Sequence, residues 1–565
     1  MGWRERPDHR PAGSAPVRRR WTALLAALLL VAAAGLVSCS RNPADRIAYA
    51  VDGALTTYNT NTVAGAAYGG PQAFARVLTG FTYHGPNGQV IADHDFGKVS
   101  VVGRAPLLLD YEINADAVYS DGKPVTCDDM VLAWAAQSGR YPGFDAASRA
   151  GYSDIAAIDC VPGQKKARVS FLPDRAPIDY NHLFGATSMM PAHVIAEVLG
   201  LGEGGVARAI ADNDGPVIER IAQVWNNGWT LKPDLDLKKF PSSGPYKLQS
   251  VTEDGAVVLV ANDKWWGEPP VAKRVTVYPR GADIQDRVNE GAYDVVDIAA
   301  GSSGPLNLPD EYQRSDEPSG GIVQMIFAPQ GPASEVPVRR ALAHCTPRDV
   351  IARNAEMPIA NARLHPVSDD AYSAAEGAAE AGQFVAANPE AARAALGDRP
   401  PLTLRIGYQK PNARLAAIVG VIAKSCAAAG ITVEDAGTTD TSPVALRDNK
   451  IDVLLASTGG ATGSGSTGSD TLDAYTLHSA NGDNLPRYHN GRIDEIIATL
   501  ASATDPKEIV RLLGEGGQIL WADMPTLPLY RQQRTLITST KMYGVQSSPT
   551  RWGAGWNMGR WVLSR

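Results

Sequence analysis

No short motif that would announce catalysis by itself is present: the chain has no HExxH, no Walker A loop and no GxSxG elbow. Its nine histidines are scattered, without a spacing that compels a metal site or a catalytic pair. Five cysteines contain no CxxC, and no Cys/His cluster has zinc-finger spacing. No Lys/Arg stripe runs along the chain, and no internal repeat appears. These absences argue against nucleic acid, which demands cationic neutralisation of phosphates, and against polybasic adhesion to anionic lipid. The formal charge is −7 over the whole sequence, but residues 1–38 carry six Arg against two acidic residues; from residue 39 onward it is −11. Hydrophobic residues make up 44% and charged residues 20%, an ordinary soluble composition. At 565 residues the chain is too long for one ordinary core, so two or three globular units are expected.

One long apolar run is present, and it is at the start. Arg18, Arg19 and Arg20 precede residues 21–37, which are rich in Ala, Leu and Val and end in Leu36-Val37-Ser38-Cys39. A charged start, an apolar centre and small residues before the cut describe a secretory signal, here with the lipobox of a bacterial lipoprotein. The alternative, an uncleaved membrane anchor, would need these 17 residues to span near the lower length limit. Cleavage and lipidation at Cys39 are therefore expected, with residues 1–38 as signal peptide and 39–46 as a polar tether. The export route, Sec or twin-arginine, stays open.

Beyond the tether, strand-like stretches at 47–51, 99–114, 167–172, 257–261 and 275–278 alternate with helical ones, as in an α/β architecture. Residues 301–321 are rich in Gly, Ser, Pro and charge and read as a connecting segment. Strand–helix–strand order is clearer later: 402–406, a helix over 413–429 closed by Gly430, then 431–433 and 451–455. After that last strand, Gly463-Ser-Gly465-Ser-Thr-Gly468 formally fits GxGxxG. It lies inside a run too rich in Gly and Ser for a tight crossover, so no dinucleotide is expected and no cofactor is implied. Two readings of the run remain: a flexible surface linker, or a loop lining a cleft beyond the strand end, where backbone N–H groups and hydroxyls meet a ligand. Among Tyr58, Tyr83, Tyr246, Trp265, Trp266, Trp552 and Trp556, most are expected to pack structurally.

A set of segments then falls into a familiar order. Residues 117–130, AVYSDGKPVTCDDM, resemble the W-S-D-G-x-P-x-T-A-x-D-V segment of the family 5 extracellular solute-binding proteins, the dipeptide-, oligopeptide- and nickel-binding components of ABC importers. Ser243-Gly-Pro-Tyr246 resembles the family's T-G-P-Y turn, and residues 259–266 its L-x-R-N-x-x-Y-W strand. Residues 338–342, 492–494 and 523–528 resemble V-R-x-A-L and the closing helices and strand. Within the family the likeness is to uncharacterised mycobacterial-type lipoproteins.

The resemblance implies an α/β, bilobal periplasmic-binding-protein-like fold of the class II, cluster C type, with a hinge. Lobe I would comprise 45–321 and 527–565, with an extra subdomain at about 99–198, and lobe II 322–526. Cys127–Cys160 and Cys345–Cys426 are then the favoured disulfides of the three connectivities that four cysteines allow, because each pair falls within one lobe. It further implies a monomer, lipid-anchored on the extracytoplasmic face of the cell membrane, that captures a small solute (a peptide by default) for an ABC permease and performs no catalysis. Tyr58 and Asn59 from lobe I, and Thr458, Gly459, Gly460, Thr462 and Asp470 from lobe II, are the expected ligand contacts. One departure bears on the substrate: where peptide-binding members carry W-x-x-D, this chain reads Ala456-Ser-Thr-Gly-Gly-Ala-Thr462, and Asp470 or Asp473 would have to stand in. The rival readings are a secreted hydrolase and a binding lipoprotein with no transport role.

The Cys39 expectation is directly testable. Cys39→Ser should move the chain from the detergent phase to the aqueous phase on Triton X-114 partitioning, and intact mass should show no acyl addition.

Overall fold

The computed structural model describes residues 46–281, 283–366, 370–377, 379–458 and 465–564. Cys39, Gly459, Gly460 and Thr462 lie outside the described residues.

The strands in chain order begin with β1 (Arg46–Val51) and the short pair β2 (Thr82–His84) and β3 (Val90–Ala92). Next come β4 (Gly97–Arg104), β5 (Leu107–Ile113), β6 (Ile155–Cys160) and β7 (Lys166–Phe171), which form a separate four-stranded sheet in the order β4-β5-β7-β6. They are followed by β8 (Tyr246–Val251), β9 (Val257–Ala261), β10 (Arg274–Pro279), β11 (Val295–Ala299) and β12 (Tyr312–Phe327). The later strands are β13 (Leu402–Gly407), β14 (Ile431–Asp435), β15 (Val453–Ser457) and β16 (Thr526–Ser539). Ten of these strands make one mixed sheet in the order β14-β13-β15-β12-β16-β11-β1-β10-β9-β8.

Its centre is the antiparallel pair β12–β16, 16 and 14 residues long, paired from Tyr312 opposite Ser539 to Ile326 opposite Thr526. The expected connecting segment 301–321 is thus corrected: residues 312–321 are already strand. Their charge misled because this half of β12 alternates toward solvent, whereas residues 319–327 are buried throughout. Between Pro318 and Ile322 the register slips. Proline donates no ladder hydrogen bond and glycine adds no side-chain packing, so Pro318-Ser-Gly-Gly321 is where the ladder yields.

Two large apolar cores lie on either side of this crossing. One gathers residues from 47–295 and 536–561, the other residues from 323–530. Each holds one disulfide: Cys127–Cys160, with Cα atoms 5.8 Å apart, and Cys345–Cys426, at 4.9 Å. Cys127 opens the helix Cys127–Gln137, whose N-cap Thr126 forms a capping box with Asp129. Cys345 and Cys426 end the helices Val336–Cys345 and Ala413–Cys426.

A buried charge network fixes the first half to the crossing strands. Arg534 on β16 places Nε 2.8 Å from Asp297 Oδ1 on β11, and both side chains are almost fully buried. Asp297 Oδ2 also accepts from Gln72 Nε2 at 2.9 Å and the Ala554 N–H at 2.7 Å. A second buried pair, Asp52 with Arg280, closes the ends of β1 and β10, and Asp52 Oδ2 takes the Ala299 N–H. Removing one partner of such a pair strands a charge in the core. Asp297→Ala should therefore cost about 3–5 kcal/mol of stability, read as a fall in the urea midpoint of the transition that reports the first half.

Candidate functional site

The two cores meet across a cleft whose walls come from opposite sides of the β12–β16 crossing. The first half contributes the loop after β1, residues 145–149 and 178–184, and a C-terminal turn at 548–552. The second contributes the end of β15 and the chain from 465 to 490. Direct contacts join them: Arg447 Nη1 lies 2.9 Å from Asp145, and Ser469 Oγ donates to Asp179 Oδ2 at 2.6 Å. The Asp483 N–H donates to the Ala147 carbonyl at 2.8 Å, and the Arg551 N–H to that of Ser466 at 2.9 Å. At Gly482 the halves come so close that a Cβ would sit 1.9 Å from the Ala146 carbonyl oxygen. Within the second half, beside these contacts, a cavity of about 20 Å³ between Thr458, Ile322, Gln324, Arg363 and Asp483 has room for a water molecule.

Tyr58 and Asn59 are not on the cleft surface. Tyr58 is fully buried against Phe74 and Phe240, with ring centroids 5.0 and 5.6 Å away, and its hydroxyl donates to the Pro241 carbonyl at 3.1 Å. Asn59 is fully buried too; its Nδ2 donates to the Trp225 carbonyl at 2.8 Å and its Oδ1 accepts from the Asn61 N–H at 3.1 Å. Their bonding capacity is spent holding the loop, which corrects the expectation that they face a ligand. Thr458 does line the cavity, while its Oγ1 accepts the Ile322 N–H at 3.2 Å across the β12–β15 pair. Asp470 lies 3.0 Å from His365 Nδ1, and His365 Nε2 is 3.4 Å from Asp370. Burial works against the charged imidazole, but the hydrogen bond and charge of Asp470, with those of Asp370, raise its pKa overall. Asp473 accepts from Ser466 Oγ at 2.7 Å and the Thr467 N–H at 2.9 Å, and burial pushes its carboxyl up to about 6.

Two charged residues at the cleft escaped the sequence reading. Asp483 has its Oδ1 sealed from solvent with no hydrogen bond. Burial raises its pKa to about 7; Arg551 and Arg447 pull it down, and Asp145 pushes it up. Arg551 lies over Trp552, its guanidinium carbon 4.7 Å from the ring centroid. Trp552 in turn stacks on His84 at 4.3 Å, and His84 sits 4.9 Å from His182. Burial, then the neighbouring His182 and Arg551, hold His84 neutral, at about 3. No motif marks Asp483 or Arg551, because tertiary contact alone brings residues 84, 182, 483 and 551 together.

Residues 107–477 match the family described as bacterial extracellular solute-binding proteins, family 5 middle. An uncharacterised lipoprotein of Mycobacterium tuberculosis is 62% identical over 560 residues, 98% of this chain and 100% of that protein. Among solved structures, the oligopeptide-binding protein AppA of Bacillus subtilis, in complex with a nonapeptide, superposes with a TM-score of 0.70 at 15% identity. That match covers 92% of this chain and 99% of AppA. NikZ of Campylobacter jejuni, in complex with Ni(L-His), gives 0.69 at 14% identity, covering 92% and 100%. Both likenesses concern the bilobal fold.

The raised carboxyl of Asp483 links closure to pH. With the halves apart it regains water and the ordinary carboxylate value near 3.9. The closed form therefore holds the extra proton and gains on the open form as pH falls through about 7. Small-angle scattering should show a smaller radius of gyration at about pH 5.5 than at about pH 8.5. Asp483→Asn should lose most of the difference, leaving the part due to Asp473.

Proposed function

Since this chain belongs to the family 5 bacterial extracellular solute-binding proteins, we propose that it captures a small solute, a peptide by default, between two lobes and delivers it to an ABC importer. Lobe I is taken as 45–321 and 527–565, with 99–198 as its extra subdomain, and lobe II as 322–526. The hinge is the β12–β16 crossing, where the ladder breaks after Pro318. Lipid at Cys39 and the tether to Arg46 hold the protein, a monomer, on the outer face of the cell membrane. Among the described residues no helix is long and apolar enough to cross that membrane.

The observation that carries the reading is the unpartnered Asp483 Oδ1, which borders a small cavity of the second half on a segment whose backbone bonds to the first half at Ala147. A carboxylate sealed there without a hydrogen bond on Oδ1 is costly, and a ligand ammonium reduces the cost by bonding to it. Asp483 thus takes the part of the acid missing after β15, while Asp470 is engaged by His365. Thr458, Gly459, Gly460 and Thr462 remain the proposed contacts to the ligand backbone; Tyr58 and Asn59 support the opposite loop from within. Closure removes water from around these groups and strengthens each polar contact.

A thermal-shift screen of di- to octapeptides against the full chain in detergent tests this. A bound peptide at about a hundred times its Kd should add about 2.7 kcal/mol of stability. Asp483→Asn should weaken that peptide at least about tenfold, and N-acetylation of the peptide should have the same effect on the wild type. Stabilisation by non-peptide solutes alone would keep the binding function and remove the peptide.

A further inference from the structure

The described residues begin at a defined place in the fold: Arg46, the first residue of β1, pairs with Arg274, the first of β10. From Cys39 to Arg46 is seven residues of chain, which fully extended reach about 25 Å. The cleft lies at the other end of β1, where Asp52 and Arg280 close the strands. A lipid on Cys39 therefore keeps the Arg46 edge of the first half near the bilayer. Arg46 and Lys273 are exposed on this edge, and so is Lys541, just past the end of β16. Asp294 feels the charge of Lys541 and takes the Ala48 N–H of β1 at 2.7 Å, which places Lys541 beside the same strand. No basic run in the sequence marks this group; the order β16-β11-β1-β10 assembles it. Large apolar side chains are exposed alongside: Tyr543 at 60%, Val271 at 53% and Val562 at 38%. Residues 559–564 join them to the edge. The Val271 N–H donates to the Gly559 carbonyl, Tyr543 pairs with Val562, and the Ser564 N–H donates to the Lys541 carbonyl. Trp561 packs edge-on against Tyr49 of β1, with ring centroids 5.0 Å apart. Of the acids nearby, Asp294 holds Ala48 and Asp263 pairs with Lys247, while Glu268 and Glu311 flank the patch.

Exposed tyrosine and valine among lysine and arginine suit a membrane interface: the ring sits at headgroup depth and the cations attract anionic headgroups. From residue 39 onward the chain carries −11, so an anionic bilayer repels the body as a whole and draws in this edge. Charges farther than about 8 Å from the lipid are largely screened, which leaves the nearest residues to decide the orientation. We propose that the edge of the first half around Arg46, Lys273, Lys541 and Tyr543 rests on the anionic lipid surface to which Cys39 anchors the chain. The cleft, at the far end of β1, is then held roughly 17 Å further from the bilayer. The acyl chains supply the affinity and the patch supplies the orientation, because so few basic residues do not hold a protein to lipid by themselves. The inference rests on lipidation at Cys39 and goes beyond it. With the first half seated, the second half, carried on the β12–β16 crossing, is the part that swings.

The test places the full acylated chain on phosphatidylcholine vesicles with and without phosphatidylglycerol. Four cysteines are in disulfides and Cys39 carries the lipid, so one introduced thiol takes a fluorophore. Thr540→Cys reports on the patch and Lys424→Cys on the second half; both positions are exposed. Quenching by brominated lipid, which acts only near contact, should be at least about twofold stronger at 540 than at 424 on the anionic vesicles. The excess should shrink on neutral vesicles and in about 1 M salt, where the Debye length is about 3 Å. Lys273→Glu combined with Lys541→Glu should remove it while the protein still floats with the vesicles. Equal quenching at the two positions, or an excess that survives charge reversal or salt, would overturn the proposal. If the double variant does not fold, the lipid and salt series decide. A chain that shows no acyl group by intact mass and does not float would show that the anchor itself is missing, and the orientation would fall with it.

Discussion

Everything the cleft does depends on two strands, β12 and β16, staying hydrogen-bonded to each other while their ends serve different cores. A paired β-ladder resists stretching and shear, because each lost N–H···O bond would leave backbone groups unsatisfied in a buried place. It twists and bends far more readily, and most readily where the register already slips, between Pro318 and Ile322. The Asp297–Arg534 pair and its satellites anchor β16 to the first half close to that break.

The cleft itself has unusual electrostatics for a protein surface. Asp483 and Asp473 are pushed toward the neutral form by burial, His84 is held neutral, and the Arg551 guanidinium lies within the field of both acids with its Nε unbonded. Each condition is tolerable in water and costly when the halves meet, so the closed form carries unfavourable terms that a complementary solute removes. Such a site discriminates by what it fails to satisfy when empty as much as by what it contacts when full.

Much of the architecture was legible in the sequence because it is written locally. The strand–helix–strand order from 402 to 457 is present where short-range patterns placed it, and the two disulfides have the pairing that the lobes implied by the family resemblance favoured. The start of β12 was misread because its surface-facing half carries the charge and polarity of a loop. The site was harder. Tyr58 and Asn59 have the composition of ligand contacts but are consumed by Pro241 and Trp225, 183 and 166 residues away. Asp483 and Arg551 matter only because folding leaves their polar atoms unpartnered, and no window of sequence can contain that fact.

The placement of the disulfides has a consequence for how the chain comes to be. Four cysteines allow three pairings, yet a chain that emerges N-terminus first presents Cys127 and Cys160 together, 33 residues apart, long before Cys345 appears. The first bond closes while its competitors are still unexposed, and Cys345 and Cys426 are then left with each other. On a chain exported unfolded, order of emergence favours the native pairing, so each half can be oxidised as it arrives, before a bond that would staple the cleft shut can form.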